Sequence, residues 1–395
     1  MLGLLVSGVV LAAGADGAIL GPVRTLDRRT LSPVQVEATV IDLMAKGRVT
    51  GLGLAILNRG EIVYLNAFGK ADADKGAPLT IQSSMYAASF TKAMFASMVM
   101  QLVSEGTLAL DTPIERYLKK PLPDYEKYAD LKSDPRWRMW TARMLLSHTT
   151  GMPNFRFFPK TGGFDPDHPL WIDFTPGSRY AYSGEGINLL QFVLENGLGL
   201  EVGALMRERI FEGLGMTRTS MLWRDDFAAD LAQGHDEAGK VLGHNARRSV
   251  RAAGSADSTI RDMALFLQAT LKQKTAPRKF WKEMMKPQVR IRSAHQFPTL
   301  DETTSSRDDR VQLSYGLGWG LLKTPHGRAF FKGGHDDGWE NYMIGFDKTG
   351  TGIVIMTNSS NGESIFKELL QTLVGDTYTV WEWEDYTPWN ATGRP

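Results

Sequence analysis

The stretch Met85-Tyr-Ala-Ala-Ser89-Phe-Thr-Lys92-Ala-Met-Phe95 sets a serine three residues before a lysine at a predicted helix start. That spacing puts both side chains on one helix face, one turn apart. Acyl transfer needs such a pair: a hydroxyl nucleophile and an amine near enough to take its proton. The following residues, among them Ala93, Met94, Phe95, Met98, Val99 and Leu102, are apolar on nearly every side. A helix of that pattern is buried rather than amphipathic. Burial disfavours the ammonium form, which makes Lys92 a candidate base, and the helix N-terminus favours negative charge developing at Ser89. The motif alone is not selective, because Ser364-Ile-Phe-Lys367 in a later helical stretch has the same spacing. The surrounding chain has to decide.

Working outward, Ser32-Pro33 opens a helical pattern that ends near Gly47. Two strands follow, Gly51–Leu57 and Glu61–Phe68, joined by the turn Asn58-Arg59-Gly60. The pattern recurs at the other end of the chain. Ala329–Lys332, Asn341–Phe346 and Gly352–Thr357 read as strands, and Glu363–Val374 reads as a closing amphipathic helix. Strands at both ends with helices between them predict an α/β (α+β) sheet domain from residues 32–88 and 311–375. Residues 89–310 then form a mainly helical lobe, and residues 376–395 an aromatic tail from Trp381 to Trp389 that is suited to dock on the body.

Composition bounds the chemistry. The 395 residues contain no cysteine, which excludes disulfides, thiolate metal sites and a cysteine nucleophile. At ~150 residues per domain the length allows two to three units. Lys+Arg 45 against Asp+Glu 44 leaves no global field that would draw nucleic acid. No apolar run reaches the ~20 residues of a membrane span. Residues 1–20 are signal-like: Leu2–Ala13 is apolar and Ala13-Gly14-Ala15 is a small-x-small cleavage pattern, without a basic start. The expectation is a periplasmic or secreted protein, with the cytoplasm as the alternative.

Three long polar loops, Lys119–Arg138, Pro153–Gly177 and Ser293–Arg310, interrupt the plan, and loops of that length usually work as lids or functional insertions. The middle one carries Phe155, Phe157, Phe158, Phe164, Trp171 and Phe174, which either line an apolar pocket or pack in the lobe.

Further motifs follow the Ser-x-x-Lys helix in order. They are Leu145-Leu-Ser-His148-Thr-Thr-Gly151, then Tyr182-Ser183-Gly184 running into Asn188, then Tyr315-Gly-Leu-Gly-Trp319, and finally Lys332-Gly333-Gly334-His335-Asp-Asp-Gly338. In this order the chain resembles the serine β-lactamase and penicillin-binding-protein family, especially its class C-like and esterase branches, from about Val34 to Leu373. The resemblance implies a β-lactamase/transpeptidase-like fold with an antiparallel sheet flanked by helices. It implies Ser89 as the acylated nucleophile, Lys92 as its partner base and Tyr182 as the proton shuttle. Lys332, Gly333 and Gly334 would line the opposite wall of the cleft, with the backbone N–H groups of Ser89 and His335 as oxyanion hole. A cation at Lys332 would favour deprotonation of Tyr182 and Lys92 and would be the dominant local charge, leaving anionic substrates open.

Literal spelling competes with this reading. Tyr64-Leu-Asn66 is an exact Tyr-x-Asn, and Lys160-Thr-Gly162 and Lys348-Thr-Gly350 are exact Lys-Thr-Gly strings. None has the right position: the first precedes Ser89, the second precedes Tyr182, and the third is a turn sequence. Two departures stand out. Gly184 replaces the family's Asn, a loss worth ~1–3 kcal/mol to amide-substituted substrates if that contact is buried. Gly333 replaces a Thr whose hydroxyl would hold a carboxylate.

The expected function is therefore a serine hydrolase acting through an acyl-enzyme on Ser89. Its substrate is a small ester or amide, in the manner of a carboxylesterase with weak β-lactamase character, and it needs no cofactor or metal. The alternatives are a D-amino-acid-specific peptidase or D,D-carboxypeptidase on cell-wall-like peptides, and a penicillin-binding sensor that acylates without turnover. His148 reads as structural. Asp165, Asp167 and His168 lack ligand geometry in their Pro-rich loop. The His335 side chain, beside Asp336 and Asp337, is expected to titrate near neutrality.

Overall fold

Ser32 opens the first helix by a reciprocal cap: its hydroxyl accepts from the Gln35 backbone N–H, and the Gln35 side chain accepts from the Ser32 backbone. This cap starts α1 (Pro33–Gly47) in the computed structural model, which describes residues 12–13 and 17–391. The strands of the main sheet, in chain order, are β1 (Ala12–Ala13), β2 (Ile19–Leu20), β3 (Gly51–Asn58), β4 (Glu61–Asp72) and β5 (Val289–Arg290). They continue with β6 (Ser314–Tyr315), β7 (Gly320–Thr324), β8 (Gly327–Asp336), β9 (Trp339–Phe346) and β10 (Thr351–Thr357). The order across the sheet is β1-β2-β4-β3-β10-β9-β8-β7-β6-β5, with Ala77–Pro78 paired off this path against β4. The two ends of the chain meet where β3 pairs antiparallel with β10, Leu54 opposite Ile355.

Each face of the sheet buries its own core. On one face, α1 brings Val36, Val40 and Leu43 against Leu54, Ile56 and Ile344, and the closing helical run 362–374 adds Leu369 and Leu373. The other face is covered by α4 (Ile260–Leu271), after α2 (Phe90–Ser104) and α3 (Gly184–Phe192) have built the lobe. Ile260, Met263 and Leu267 of α4 pack with Ala55, Leu57 and Val354 of the sheet in the same core as the apolar side chains of α2. Gly53 lets α4 approach: a Cβ there would lie 2.7 Å from the Ile260 Cβ.

This corrects the sequence reading at two places. Ile260–Leu271 and Val289–Arg290 fall inside the 89–310 stretch expected to be the lobe, yet one covers the sheet and the other completes its edge. Helical periodicity shows which face of a helix is buried but not what covers it, and a two-residue strand has no periodicity to read. The lobe is also less regular than expected. Between α2 and α3 it runs through short turns such as Ile114–Tyr117 and Glu126–Ser133, gathered on the buried rings of Tyr128, Trp137 and Trp140.

The tail docks on the body, with Trp381 and Trp383 buried. Trp383 holds the third long loop, its Nε1 donating to Ser293 Oγ at 3.1 Å and its carbonyl accepting from Gln296 N at 2.8 Å. Most of the signal-like segment, including the cleavage position after Ala15, lies outside the described residues; Ile19–Leu20 at its end pair with Leu65 and Tyr64. Among the described residues no single helix is long and apolar enough to cross a membrane.

Candidate active site

Ser89 sits at the N-cap of α2, just after Ala88, whose φ of 46° lies in the left-handed region. A residue with a Cβ is strained there, and such turns cluster at functional positions. The short strand pair Met85–Tyr86 with Asp257–Ser258 anchors the approach to this turn. From the first turn of α2, the Lys92 Nζ donates to Ser89 Oγ at 2.9 Å and to the Ala253 carbonyl at 2.6 Å. Lys92 is 1% exposed. Burial, reinforced by the charge on Lys332 and opposed by Tyr182, pulls its ammonium below the ordinary lysine range. Sequence reasoning missed the Ala253 carbonyl. Two side chains of α3 hold its segment, Asn188 accepting from Ala253 N and Gln191 from Ala252 N.

Tyr182 completes the cluster just before the N-terminus of α3. The Lys332 Nζ donates to its hydroxyl at 3.0 Å, and Lys92 and Lys332 each lie 4.9 Å from its ring centre. Burial pushes the phenol up, but the charges of Lys332 and Lys92 and hydrogen bonds with Ser89 and Lys332 outweigh it and bring it to about 7. Behind Tyr182 packs His148, 4.5 Å between ring centres, its Nδ1 accepting from Ser183 N at 3.1 Å. Burial and the two lysines hold this imidazole well below its usual range, so it is neutral. His148 thus packs and orients, as the sequence implied.

Lys332 lies on β8 past Phe331, the last residue of that strand paired with β7. The strand edge beyond it faces the cleft. Gly334 is required there, because an added Cβ would lie 2.9 Å from the Ala87 carbonyl and 3.3 Å from Ser89 N. Gly333 points into open space, where a Cβ would meet nothing within 4 Å. Ser89, Lys92, Tyr182 and Lys332 all line one cavity of about 1010 Å³.

The two family departures have different physical settings. At Gly184 a Cβ would lie 2.6 Å from the ring of Phe155, so that phenyl group fills the space of the expected Asn side chain. Phe155 and Phe158 line the cavity, stacked on and edged by Phe157, while Trp171 and Phe174 turn to His168 and Arg179 instead. The aromatic loop therefore serves the pocket with part of its rings. Lys160, set aside as a misplaced motif, also lines the cavity and ties two loops together through Asp173 and Glu302. Tyr64 is buried on β4 in the core, Lys348 is in the turn before β10, and Ser364 Oγ donates to the Asn361 carbonyl; these decoys do no work in the cleft.

Two expectations are corrected. Lys332 does not set the charge of the cleft alone, because seven Asp and Glu residues line the cavity against three Lys. The His335 imidazole pairs with Glu340, Nδ1 to Oε2 2.6 Å, rather than with Asp336 or Asp337. That carboxylate holds it above the usual histidine range, so it stays protonated at neutrality. His335, Glu340 and Glu363 bring three potential cation-ligand atoms within 4.8 Å at the far end of the cavity. Asp165, Asp167 and His168 form no such group: Asp165 caps Asp167 N, and His168 turns to the Pro169 carbonyl.

A serine at a helix start, a buried lysine one turn on and a tyrosine–lysine pair across the cleft define a protein of the serine β-lactamase and penicillin-binding class. The chain belongs to the Beta-lactamase family, whose model matches residues 36–374. It is 28% identical over 212 residues to Esterase EstB of Burkholderia gladioli, covering 49% of this chain and 52% of that one. It is 26% identical over 211 residues to a Beta-lactamase of Pseudomonas fluorescens, covering 52% and 56%. The matches thus span about half the length of these two relatives. The fold is shared with the octameric penicillin-binding protein homologue from Pyrococcus abyssi, at TM-score 0.67 and 22% identity, over 84% of this chain and 74% of that one.

Proposed function

We propose that the protein is a serine hydrolase that cleaves a small ester or amide through an acyl-enzyme on Ser89. The observation that carries this reading is the buried contact of Lys92 with Ser89 Oγ, 2.9 Å, beside a tyrosine that titrates at about 7. In the proposed cycle Ser89 Oγ attacks the acyl carbon while its proton passes to Lys92 or Tyr182. The oxyanion is met by the backbone N–H groups of Ser89 and His335. Tyr182 then returns a proton to the leaving alcohol or amine as its bond to the acyl carbon breaks. Water, activated by the same pair, releases the acid and restores Ser89. Lys332 acts on Tyr182 through charge, Gly333 leaves the wall of the cleft open to substrate, and Gly334 lets β8 approach the Ala87–Ser89 backbone.

Esters are the first choice. Gly184 and Gly333 offer no side chain for the amide and carboxylate of a β-lactam, and Phe155 and Phe158 add an apolar wall suited to a short acyl chain. The test presents a p-nitrophenyl short-chain ester and a chromogenic cephalosporin to the wild type and to Ser89→Ala. The expected result is ester turnover lost in the variant. Full activity in Ser89→Ala overturns the assignment, and a stable penicillin adduct without turnover of either substrate replaces it with a sensor.

For location we propose the periplasm or the medium, supported by the apolar run from Leu2 and the Ala13-Gly14-Ala15 pattern. N-terminal sequencing of protein recovered outside the cytoplasm checks it, and an intact Met1 there contradicts cleavage.

A further inference from the structure

Tyr86 lies three residues before Ser89, on the short strand that leads into the nucleophile turn. Its buried side chain reaches across to the loop that carries Ala253, where the hydroxyl donates to the Gly254 carbonyl at 2.8 Å. Gly254 follows directly on Ala253, whose carbonyl receives the Lys92 Nζ at 2.6 Å. One aromatic side chain thus joins the strand before the nucleophile to the acceptor that holds its base.

The ring that carries this hydroxyl is itself braced. The Arg247 guanidinium lies 3.4 Å from the ring centre, a favourable cation–π contact, and Trp339 of β9 meets the ring at a right angle, 6.5 Å between centres. Arg247 is fixed in turn: its Nη1 donates to Asp257 Oδ1 at 3.1 Å, and His244 Nε2 lies 3.1 Å from the same oxygen. Asp257 is fully buried, and its backbone pairs with that of Tyr86. The Tyr86 carbonyl accepts from Asn341 Nδ2 at 3.1 Å. Neither Tyr86 nor Arg247, His244 or Asp257 lines the cavity, so this network reaches the chemistry only through the groups it holds.

We propose that Tyr86 is a positioning residue for acylation: its hydroxyl, braced by Arg247 on Asp257, fixes the Ala253 carbonyl and so aims Lys92 at Ser89. The inference rests on the reading of Ser89 as the nucleophile and Lys92 as its base. Once an ammonium has lost a proton, its nitrogen keeps N–H donors and gains a lone pair. With an N–H held on the Ala253 carbonyl, that lone pair turns to the Ser89 hydroxyl. It takes the hydroxyl proton as Oγ bonds to the acyl carbon. Misplacing a reacting group by about 1 Å costs ~10²-fold, and loosening one hydrogen bond behind it costs a part of that.

The test follows acylation of Ser89 by p-nitrophenyl acetate in the full chain, read as released p-nitrophenol and as acetyl adduct mass, with Ser89→Ala as the blank. Tyr86→Phe keeps the ring under Arg247 and removes only the hydroxyl. Its limiting acylation rate is expected to fall ~10-fold while the half-saturating ester concentration stays unchanged. Because Tyr86 acts through Lys92, the same substitution made in Lys92→Ala is expected to cost less than ~2-fold more. A residue that merely supports the fold would cost the same factor in both backgrounds. Arg247→Gln unloads the ring face but leaves the hydroxyl and a donor for Asp257. It is expected to show a smaller loss of the same pattern, and it carries the test if Tyr86→Phe does not fold. Wild-type acylation by the variants, equal losses in both backgrounds, or a change in half-saturation alone overturns the positioning role and leaves the hydrolase reading intact. Ser89→Ala acylated as fast as the wild type overturns the hydrolase reading itself, and the positioning role with it.

Discussion

Lys332 donates to the Tyr182 hydroxyl at 3.0 Å, and this contact helps a phenol that burial alone would keep protonated to titrate at about 7. The phenolate is the base-competent form, so it dominates above that pH and is lost as pH falls through it. The acid limb of kcat/KM is therefore expected near pH 7 for the wild type, and a pH–rate profile without a limb there would contradict the assignment. In Lys332→Met the phenol loses a cation and a hydrogen bond, and the limb moves towards the ordinary tyrosine range of about 10. At neutral pH that variant is expected to lose ~10²-fold in rate.

Replacing Tyr182 by Phe removes the hydroxyl while keeping the ring that packs on His148. The expected loss is at least ~10²-fold in kcat, the usual worth of a general acid–base group. Near-native turnover by this variant would place the proton shuttle elsewhere.

The role proposed for Lys92 needs a depressed affinity for a proton, which a guanidinium cannot reproduce. Lys92→Arg is expected to be as inactive as Lys92→Ala, both down on the order of 10²–10⁴-fold. Burst kinetics with an activated ester separate this loss into acylation and deacylation. Wild-type acylation by Lys92→Arg would show that charge, not proton transfer, is what the position supplies.

A Cβ at Gly334 on β8 would lie 2.9 Å from the Ala87 carbonyl and 3.3 Å from Ser89 N, in the turn that carries the proposed nucleophile. Gly334→Ala pushes against the Ala87 carbonyl and Ser89 N, and a displacement of about 1 Å at the nucleophile costs ~10²-fold. The loss is expected in kcat more than in KM, with folding retained by circular dichroism. Unchanged kcat would mean the strand can yield without moving Ser89.

Gly184→Asn restores the side chain the family resemblance leads one to expect, but the Phe155 ring already occupies its place. Overpacking of this kind costs ~1–3 kcal/mol. Thermal or denaturant unfolding should register that loss, and Phe155→Ala in the same chain should recover much of it. A Gly184→Asn protein as stable as the wild type would show that Phe155 moves freely.

Much of the site was legible because its signals are short-range. The i, i+3 spacing of Ser89 and Lys92, the apolar helix behind them and the order of the later motifs all lie in the chain itself. So do the Ser32 cap and the central strands. The pairing of Phe155 with Gly184 was not legible, since the two are far apart in sequence and nothing local ties a ring to a glycine. Lys160 looked misplaced for the same reason: its loop folds back over the cleft, held by Asp173 and by Glu302 of another loop. Placing α4 and β5 failed because amphipathicity tells which side is buried, not against which layer.

What the sequence determined by itself is the chemistry available: oxygen and nitrogen groups without a thiol, with Ser89, Lys92, Tyr182 and Lys332 ordered along a chain that builds its sheet from both ends. Tertiary structure alone decided the state and the surroundings of those groups. Desolvation and a neighbouring cation set the proton affinities of Lys92 and Tyr182, and both depend on distances across elements remote in sequence. The lining of the cleft was likewise settled in space, where the docked tail brings Glu384 and Asp385 to the cavity. Local pattern is written in neighbours along the chain, whereas electrostatics and shape belong to neighbours in space.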